Sequence, residues 1–313
     1  MNFFQIGLLL SIAIATSSVK ATTTLEKQLA EYKRIPTSVS WFEVIKLPNQ
    51  IYAFYEPGHS EQVNSFLIVG DKKDLLYDTG MGIASIKQAI MEVRTTEGLP
   101  LHEIVVLNSH GHLDHIGGDF EFDKITALDN PWRIEKLMEG IPAGDSMWVD
   151  YYNALTGKPK APKSFDPKTF FIPKISRDKI TLLQKDEVID LGNRQFEIIN
   201  MQSHTKDSVV LYERNEKILF TGDTFVPGYF YVLDFDELEL DLKALSKLDV
   251  SYHYNTHGKQ LIDLFLRKNT LEAVIKINNG EVSAKEHEMF GEKVKVYEID
   301  EMYFFSLPNF LMY

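Results

Sequence analysis

Hydrophobic and polar residues alternate in short runs along most of the chain, which is the pattern of a protein rich in β-strands. Turn residues separate the runs, and one of these turns, Gly70-Asp71-Lys72-Lys73, predicts a hairpin. The runs predict strands at Phe42–Ile45, Ile51–Tyr55, Phe66–Val69, Leu75–Tyr77, Ile104–Leu107, Phe196–Ile199, Val209–Tyr212 and Ile218–Phe220, with apolar strands or edges at Val294–Tyr297 and Met302–Phe305.

Three segments instead carry apolar residues at the spacing of a helix. These segments are Ile83–Arg94, Leu238–Leu248 and Leu261–Asn278. Strands followed by strands mixed with helices favour an α/β fold in which sheets lie between helical layers. Aromatic residues near the C-terminus can pack on that core or form a dimer contact, and we favour packing of Phe304, Phe305, Phe310 and Leu311.

The stretch from about Pro131 to Ile180 departs from this pattern and is interpreted as an insertion, residues 131–180. It is rich in aromatic residues, including Trp132, Trp148, Tyr151, Tyr152, Phe165, Phe170 and Phe171. It also holds a group of cations, Lys158, Lys160, Lys163, Lys168, Lys174, Arg177 and Lys179. Such an insertion is either a cap over a site or a surface subdomain with its own small core.

The N-terminus, residues 1–21, is predicted to be a cleaved signal peptide that leaves residues 22–313 as the mature domain. Its apolar run, Ile6–Ala15, is shorter than the ~20 residues that span a bilayer. Small residues at Val19 and Ala21 suit cleavage, although no Lys or Arg precedes the apolar run. The alternatives are an uncleaved anchor or a buried helix. A cleaved signal would make the protein secreted or periplasmic, with no membrane contact afterwards.

Composition narrows the classes of function. A length of 313 residues permits one large domain or two modest ones. The absence of cysteine excludes a disulfide scaffold, a thiol nucleophile and a zinc site built from thiolates. The formal net charge of −12 argues against nucleic acid or an anionic membrane as the main partner.

Three of the nine histidines lie in one short segment, His110-Gly111-His112-Leu113-Asp114-His115, directly after a predicted buried strand. In an extended segment, His110 and His112 point to the same side and can reach one ion. Asp114 and His115 follow at a turn and can face a second ion beside the first. Imidazole and carboxylate ligands suit Zn²⁺, and they also accept Fe, Mn or Co.

A pair of metal ions needs further ligands from elsewhere in the chain. His204, Asp223 and His257 are the candidates, and each follows a short apolar run. The other histidines have less support. His253 lies close to His257 and is either a supporting group or a structural residue, whereas we treat His59, His102 and His287 as structural or solvated.

This set of residues resembles the metallo-β-lactamase superfamily, whose signature is H-x-H-x-D-H followed by a distant His, an Asp and a final His. The resemblance runs from about Asn64 to Gly258 and implies a four-layer αββα sandwich. It implies that one zinc is held by His110, His112 and His204, the other by Asp114, His115 and His257, with Asp223 as the bridge. Asp78, in Asp78-Thr79-Gly80, would orient ligands without binding metal.

The resemblance predicts a dinuclear zinc hydrolase in which a metal-bound hydroxide attacks a carbonyl group and Asp114 transfers the proton. The favoured substrate is a small lactone, ester or β-lactam, and the aromatic insertion suits an apolar acyl chain. A thioesterase or phosphodiesterase of the same superfamily is the alternative. A protein that only binds metal or a ligand is the alternative from another class. The native substrate, the metal and the oligomeric state stay open.

Overall fold

The computed structural model describes residues 23–144, 146–184, 187–289 and 292–307. The predicted signal segment, residues 1–21, lies outside the described residues, as do Phe310 and Leu311. Among the described residues, no helix combines the length and the apolar character that a membrane crossing requires.

The first sheet has eight strands whose spatial order follows the chain. The strands are β1 (Arg34–Ile35), β2 (Glu43–Leu47), β3 (Ile51–Tyr55), β4 (Asn64–Ile68), β5 (Lys73–Tyr77), β6 (Glu103–Leu107), β7 (Ile125–Leu128) and β8 (Ile180–Leu183). Strands β1 to β5 pair antiparallel, and the predicted hairpin between β4 and β5 is present. Strands β5 and β6 pair parallel with Tyr77 opposite Leu107, so the segments that follow them leave the same edge of the sheet.

The second sheet has five strands in the order β14-β12-β11-β10-β9. Its strands are β9 (Val188–Asp190), β10 (Gln195–Asn200), β11 (Val209–Glu213), β12 (Ile218–Phe220) and β14 (Tyr252–Tyr254). Strands β12 and β14 are parallel with Phe220 opposite Tyr254, so their following segments also share one edge. A third sheet, β13-β17-β16-β15, consists of β13 (Tyr229–Val232), β15 (Lys285–Met289), β16 (Glu292–Ile299) and β17 (Met302–Ser306).

Seven α-helices surround the sheets in the described residues. They are α1 (Thr23–Glu31), α2 (Ile86–Glu97), α3 (Leu113–Ile116), α4 (Pro131–Glu139), α5 (Ser146–Tyr152), α6 (Phe235–Leu245) and α7 (Leu264–Asn278). The helix predicted at Ile83–Arg94 begins later, because the Ser85 side chain accepts from the Gln88 N–H as an N-cap. The helix predicted at Leu238–Leu248 begins earlier, because Asp234 caps it.

Three apolar cores separate four layers, as the sequence predicts. The first core lies between one face of the first sheet, with Leu67 and Leu76, and helix α2, with Ile90. The second lies between the two large sheets and contains Phe66 and Phe220. The third joins the second sheet to α6, α7 and Phe304 of the third sheet. The chain is therefore an α/β protein with an αββα sandwich, and Phe304 and Phe305 pack as predicted.

The insertion packs against the first sheet. Its buried residues Leu137, Ile141, Tyr152 and Ile172 belong to the same apolar core as Leu76 of β5. The alternative of a surface subdomain with a core of its own is therefore wrong. Between residues 154 and 156 the insertion also runs alongside residues 58–60, where the Ser60 N–H donates to the Ala154 carbonyl at 3.0 Å.

Candidate metal centre

The histidine-rich segment leaves β6 through a bend at residues 109–111 and then enters the short helix α3. His112 has extended backbone angles and occupies the N-cap position of α3, so His110 and His112 precede the helix while Asp114 and His115 lie within it. The imidazole centroid of His110 is 4.4 Å from that of His112 and 4.3 Å from that of His115. The local geometry therefore brings both predicted pairs together.

The three distant candidates converge on this segment. His204, in the loop after β10, has its ring centroid 4.8 Å from His110 and 4.9 Å from His112. His257, after β14, has its centroid 5.2 Å from His115. Asp223 lies in a turn after β12. The preceding residue, Gly222, approaches Ser109 so closely that a Cβ on Gly222 would lie 2.7 Å from the Ser109 Cβ. This close approach places Asp223 beside the histidine-rich segment.

All seven predicted residues fall into two adjacent groups. Within each group, the potential ligand atoms lie within 4.8 Å of one another. The first ligand group is His110, His112, His204 and Asp223, and the second is Asp114, His115 and His257. Asp223 faces both groups, with a carboxylate oxygen 3.6 Å from His204 Nε2 and another 3.1 Å from His257 Nε2. His110 Nε2 is buried without a hydrogen-bond partner, and nitrogen and oxygen donors in this arrangement fit divalent zinc.

Hydrogen bonds on the far side of three of the five histidine rings fix the direction of these candidate ligands. Asp78 accepts from the Ser109 N–H at 2.5 Å, and its other oxygen lies 2.9 Å from His115 Nδ1. Backbone carbonyls hold the other two rings: His204 Nδ1 lies 3.0 Å from the Tyr231 oxygen, and His257 Nδ1 lies 2.8 Å from the Glu61 oxygen. These contacts leave Nε2 of all three rings facing the centre, as is usual around bound metals.

The first ligand group holds neutral imidazoles. Burial lowers the pKa of His110 well below its usual value and lowers the pKa of His112 to about 3. Burial also lowers the pKa of His204. A neutral imidazole has a free lone pair, so this half of the centre is prepared to coordinate a cation.

The second ligand group behaves differently. Burial opposes protonation of His115, yet the carboxylates of Asp114 and Asp223 raise its pKa well above the usual value. Burial likewise opposes protonation of His257, but the nearby carboxylate of Asp223 favours it, and the pKa of His257 is raised to about 9. Protons on these rings neutralise the two carboxylates, and a divalent cation would have to displace them.

A buried arginine supports the segment from behind, and the sequence analysis missed it. Arg133, at the start of α4, is 2% exposed and donates from Nη2 to Asn108 Oδ1 at 2.5 Å. Its guanidinium lies 3.8 Å from Asp119 and 3.8 Å from Asp207. Asn108 in turn donates to the His115 carbonyl at 2.8 Å. One cation thus joins α4 to the loops that carry the ligands.

The glycine between the first two histidines is required by close packing. A Cβ on Gly111 would lie 2.9 Å from the ring of Trp132 and 3.2 Å from Nη1 of Arg133. Because any side chain there would collide with helix α4, the segment can approach the insertion only with glycine at this position.

Four further side chains surround the centre: Glu61, Tyr151, Tyr229 and Tyr231. Burial, together with the charge of Asp114, raises the pKa of Glu61 to about 7. Tyr229 and Tyr231 share one face of β13, with ring centroids 5.8 Å apart, and both feel the charges of Glu61 and Asp223. The alternation of two tyrosines soon after Asp223 is a signal that the sequence offered, whereas a lone glutamate in a loop offered none.

The remaining histidines do not enter either ligand group. His59 is buried between the Tyr151 carbonyl, at 2.9 Å, and the Glu61 N–H, at 3.2 Å, so its role is structural as predicted. His253 lies 2.9 Å from the Thr221 hydroxyl, two residues before Asp223. His102 contacts Asp74, and His287 is exposed on β15.

Comparison with known proteins agrees with this geometry. The sequence profile of the Metallo-beta-lactamase superfamily matches residues 60–280, more than half of the chain. Acyl-coenzyme A thioesterase MBLAC2 of Homo sapiens is 25% identical over 247 residues, which cover 72% of this chain and 85% of that protein. Hydroxyacylglutathione hydrolase GloC of Haemophilus influenzae is 28% identical over 178 residues, covering 56% of this chain and 72% of that protein.

Solved structures agree at the level of the fold. A beta-lactamase domain protein from Burkholderia ambifaria aligns with a TM-score of 0.54 at 17% identity, covering 82% of each chain. Family profile, fold and the two converging ligand groups lead to one assignment. The chain belongs to the metallo-β-lactamase superfamily and is a hydrolase of that superfamily.

Proposed function

We propose that the protein is a metal-dependent thioester hydrolase acting on a small acyl thioester. The observation that carries the proposal is the convergence of seven side chains into two ligand groups that share the carboxylate of Asp223. Support for the substrate comes from two relatives, named for acyl-coenzyme A and hydroxyacylglutathione, which are both thioesters. Among the carbonyl substrates, this favours the thioester over the lactone, ester or β-lactam that the sequence analysis preferred.

The chain's own residues would divide the work as follows. The first ligand group and the second ligand group each hold one divalent ion, with Zn²⁺ favoured by the donors and Fe, Mn or Co as alternatives. Bound metal of this kind lowers the pKa of water and polarises a carbonyl oxygen. Asp223 fixes the spacing of the two groups, and Asp114, 7% exposed, is placed to hold and pass on a proton. Tyr229 and Tyr231 lie close enough to the centre to feel the charge of Asp223.

We also propose that residues 1–21 are a signal peptide and that residues 22–313 are the exported enzyme. Only the sequence pattern of Ile6–Ala15 supports this proposal. Cell fractionation combined with N-terminal sequencing of the mature protein tests it. A product that begins at Thr22 outside the cytoplasm is expected, and an intact N-terminus in the cytoplasm would contradict export.

The decisive experiment combines elemental analysis with a substrate panel of acyl thioesters, lactones, aryl esters, phosphodiesters and β-lactams. We expect two metal ions per chain and the highest kcat/KM for thioesters. The variant Asp223→Asn should lose metal from the centre and lower kcat/KM by roughly 100-fold or more. Asp249→Asn, on the exposed surface, is the control with the same change of charge.

Two outcomes would contradict the proposal. Full metal content with unchanged turnover in Asp223→Asn would remove this residue from the site. A strong preference for lactones or β-lactams over thioesters would return the substrate to the class that the sequence alone favoured.

A further inference from the structure

Positive charge is concentrated in one part of this acidic protein. Residues 155–180, here called the cationic segment, contain seven Lys or Arg residues and two acids, in a chain whose net charge is −12. Its exposed lysines are Lys158, Lys160, Lys163, Lys168 and Lys174. The rest of the chain is therefore strongly anionic, and the segment is the part of the insertion that can attract an anion.

These lysines are not neutralised by the protein itself. Among the described residues, no carboxylate lies within 4.0 Å of the side-chain nitrogen of any of the five. Exposed cations elsewhere commonly have such a partner: Lys33 with Glu97, Arg214 with Glu197 and Lys285 with Glu298. Exposed lysines without a carboxylate partner remain available to a bound polyanion.

The cationic segment begins beside the metal centre. The Thr156 N–H donates to the Gly58 carbonyl at 2.8 Å, and the Thr156 hydroxyl donates to the Pro57 carbonyl at 2.9 Å. The carbonyl of Pro159 packs directly on Gly58, where an added Cβ would lie 2.8 Å away. Lys158 and Lys160 flank this proline, so both lie next to the loop that contains Gly58.

That loop reaches the metal centre within three residues. Glu61 follows Gly58, and its carbonyl accepts from Nδ1 of His257, a member of the second ligand group. Three residues of extended chain span at most ~10 Å. A ligand with its reactive group at the centre and a flexible arm of moderate length can therefore place its far end on the cationic segment.

The separation between the centre and the cationic segment selects the form of the ligand. An anionic carrier that uses both must hold its phosphates away from the reacting carbonyl. A coenzyme A thioester has that form, because a long neutral arm separates the thioester from its nucleotide phosphates.

We propose that the cationic segment binds the phosphate groups of a coenzyme A-type thioester while the thioester carbonyl lies at the metal centre. The inference rests on the proposed thioesterase function and names its carrier. Lysines bind phosphate as point charges, so several exposed residues share the contact and each contributes modestly. The contact weakens with salt, since solvent-exposed charges are screened.

The test compares two substrates with the same acyl group, an acyl-coenzyme A and the acyl thioester of N-acetylcysteamine, which has no phosphates. The variant is Lys158→Gln, Lys160→Gln, Lys163→Gln. The control is Lys285→Gln, Lys293→Gln, Lys295→Gln, which makes the same change of charge on the hairpin of β15 and β16. We expect the variant to lower the ratio of kcat/KM values, coenzyme A substrate over N-acetylcysteamine substrate, about tenfold at low salt, through KM.

The possible results separate this inference from the proposed function. An unchanged ratio in the variant, or an equal fall in the control, would overturn the inference and leave a thioesterase. Hydrolysis of neither thioester would overturn the proposed function. In that case, binding of adenosine 3′,5′-bisphosphate to the wild type and to the variant decides the inference. Weaker binding by the variant supports a phosphate site, whereas equal or absent binding, or tighter binding of an oligonucleotide, overturns it.

Discussion

At the scale of single residues, the most consequential side chain outside the ligand groups is Arg133. Its guanidinium faces the carboxylates of Asp119 and Asp207 in a site where all three are almost fully buried. Burial raises the pKa of both acids to about 6, although Arg133 opposes that shift. Removing the cation would leave two buried acids without a compensating charge, which costs far more than losing a surface ion pair.

We therefore predict that Arg133→Met lowers the free energy of unfolding by about 3–5 kcal/mol and weakens metal binding roughly 10–100-fold. Metal affinity by chelator competition and urea unfolding measure the two effects. Arg133→Lys should recover part of the metal affinity, because it restores the charge. Arg177→Met, on the exposed surface, should change neither. Unchanged metal affinity in a folded Arg133→Met protein would remove this residue from its positioning role.

The convergence of the candidate ligands could be predicted from sequence and the contacts of Arg133 could not, for a physical reason. His110, His112, Asp114 and His115 share one short segment, so their spacing records the geometry directly. Arg133 meets Asp207 across 74 positions, and neither residue stands in a local pattern that indicates the contact. Contacts of this kind become visible only when the fold brings the segments together.

At the scale of elements, parallel strand pairing assembles the centre. The pairing of β5 with β6 places Asp78 beside Ser109, and the pairing of β12 with β14 places Asp223 beside Thr256. Most strands could be predicted from short apolar or alternating runs, and strands such as β4 and β11 are buried on both faces. Helix bounds could not, because the caps Ser85 and Asp234 are decided by the backbone path and not by the apolar pattern.

The insertion is held against the loop at Gly58 by a very close approach. A Cβ at this position would lie 2.3 Å from the indole ring of Trp41 and 2.8 Å from the Pro159 carbonyl. We predict that Gly58→Ala costs roughly 1–3 kcal/mol and loosens residues 155–180. Limited proteolysis should then cut within these residues faster than in the wild type. Ser164→Ala, on the exposed part of the same segment, is the control, and identical cleavage rates in Gly58→Ala would contradict the prediction.

At the scale of the whole molecule, buried acids make the stability of the fold depend on pH. Glu56 is completely buried, accepts from Trp41 Nε1 at 2.5 Å and accepts from the Met81 N–H at 3.0 Å. Burial raises its pKa from 4.5 to about 7. Between these two values the folded protein keeps a proton that the unfolded chain has lost, so this group makes the protein less stable as the pH rises.

We predict that Glu56 contributes a loss of roughly 3 kcal/mol in the free energy of unfolding between pH 4.5 and pH 7. Urea unfolding of the wild type and of Glu56→Gln at several pH values measures it. The stability of the variant should fall less steeply over that interval, because the amide does not titrate. Parallel stability curves for the two proteins would show that Glu56 does not carry this dependence.

Because the two ligand groups lie at the rim between the two large sheets, a bound metal ion would also connect these sheets. His110, His112, Asp114 and His115 leave the first sheet, whereas His204, Asp223 and His257 leave the second. Each half of the chain thus supplies an incomplete coordination shell, and bound cations would hold the two halves of the sandwich to each other. The metal content of the protein would then report how well its two sheets are aligned, even in a variant altered far from the rim.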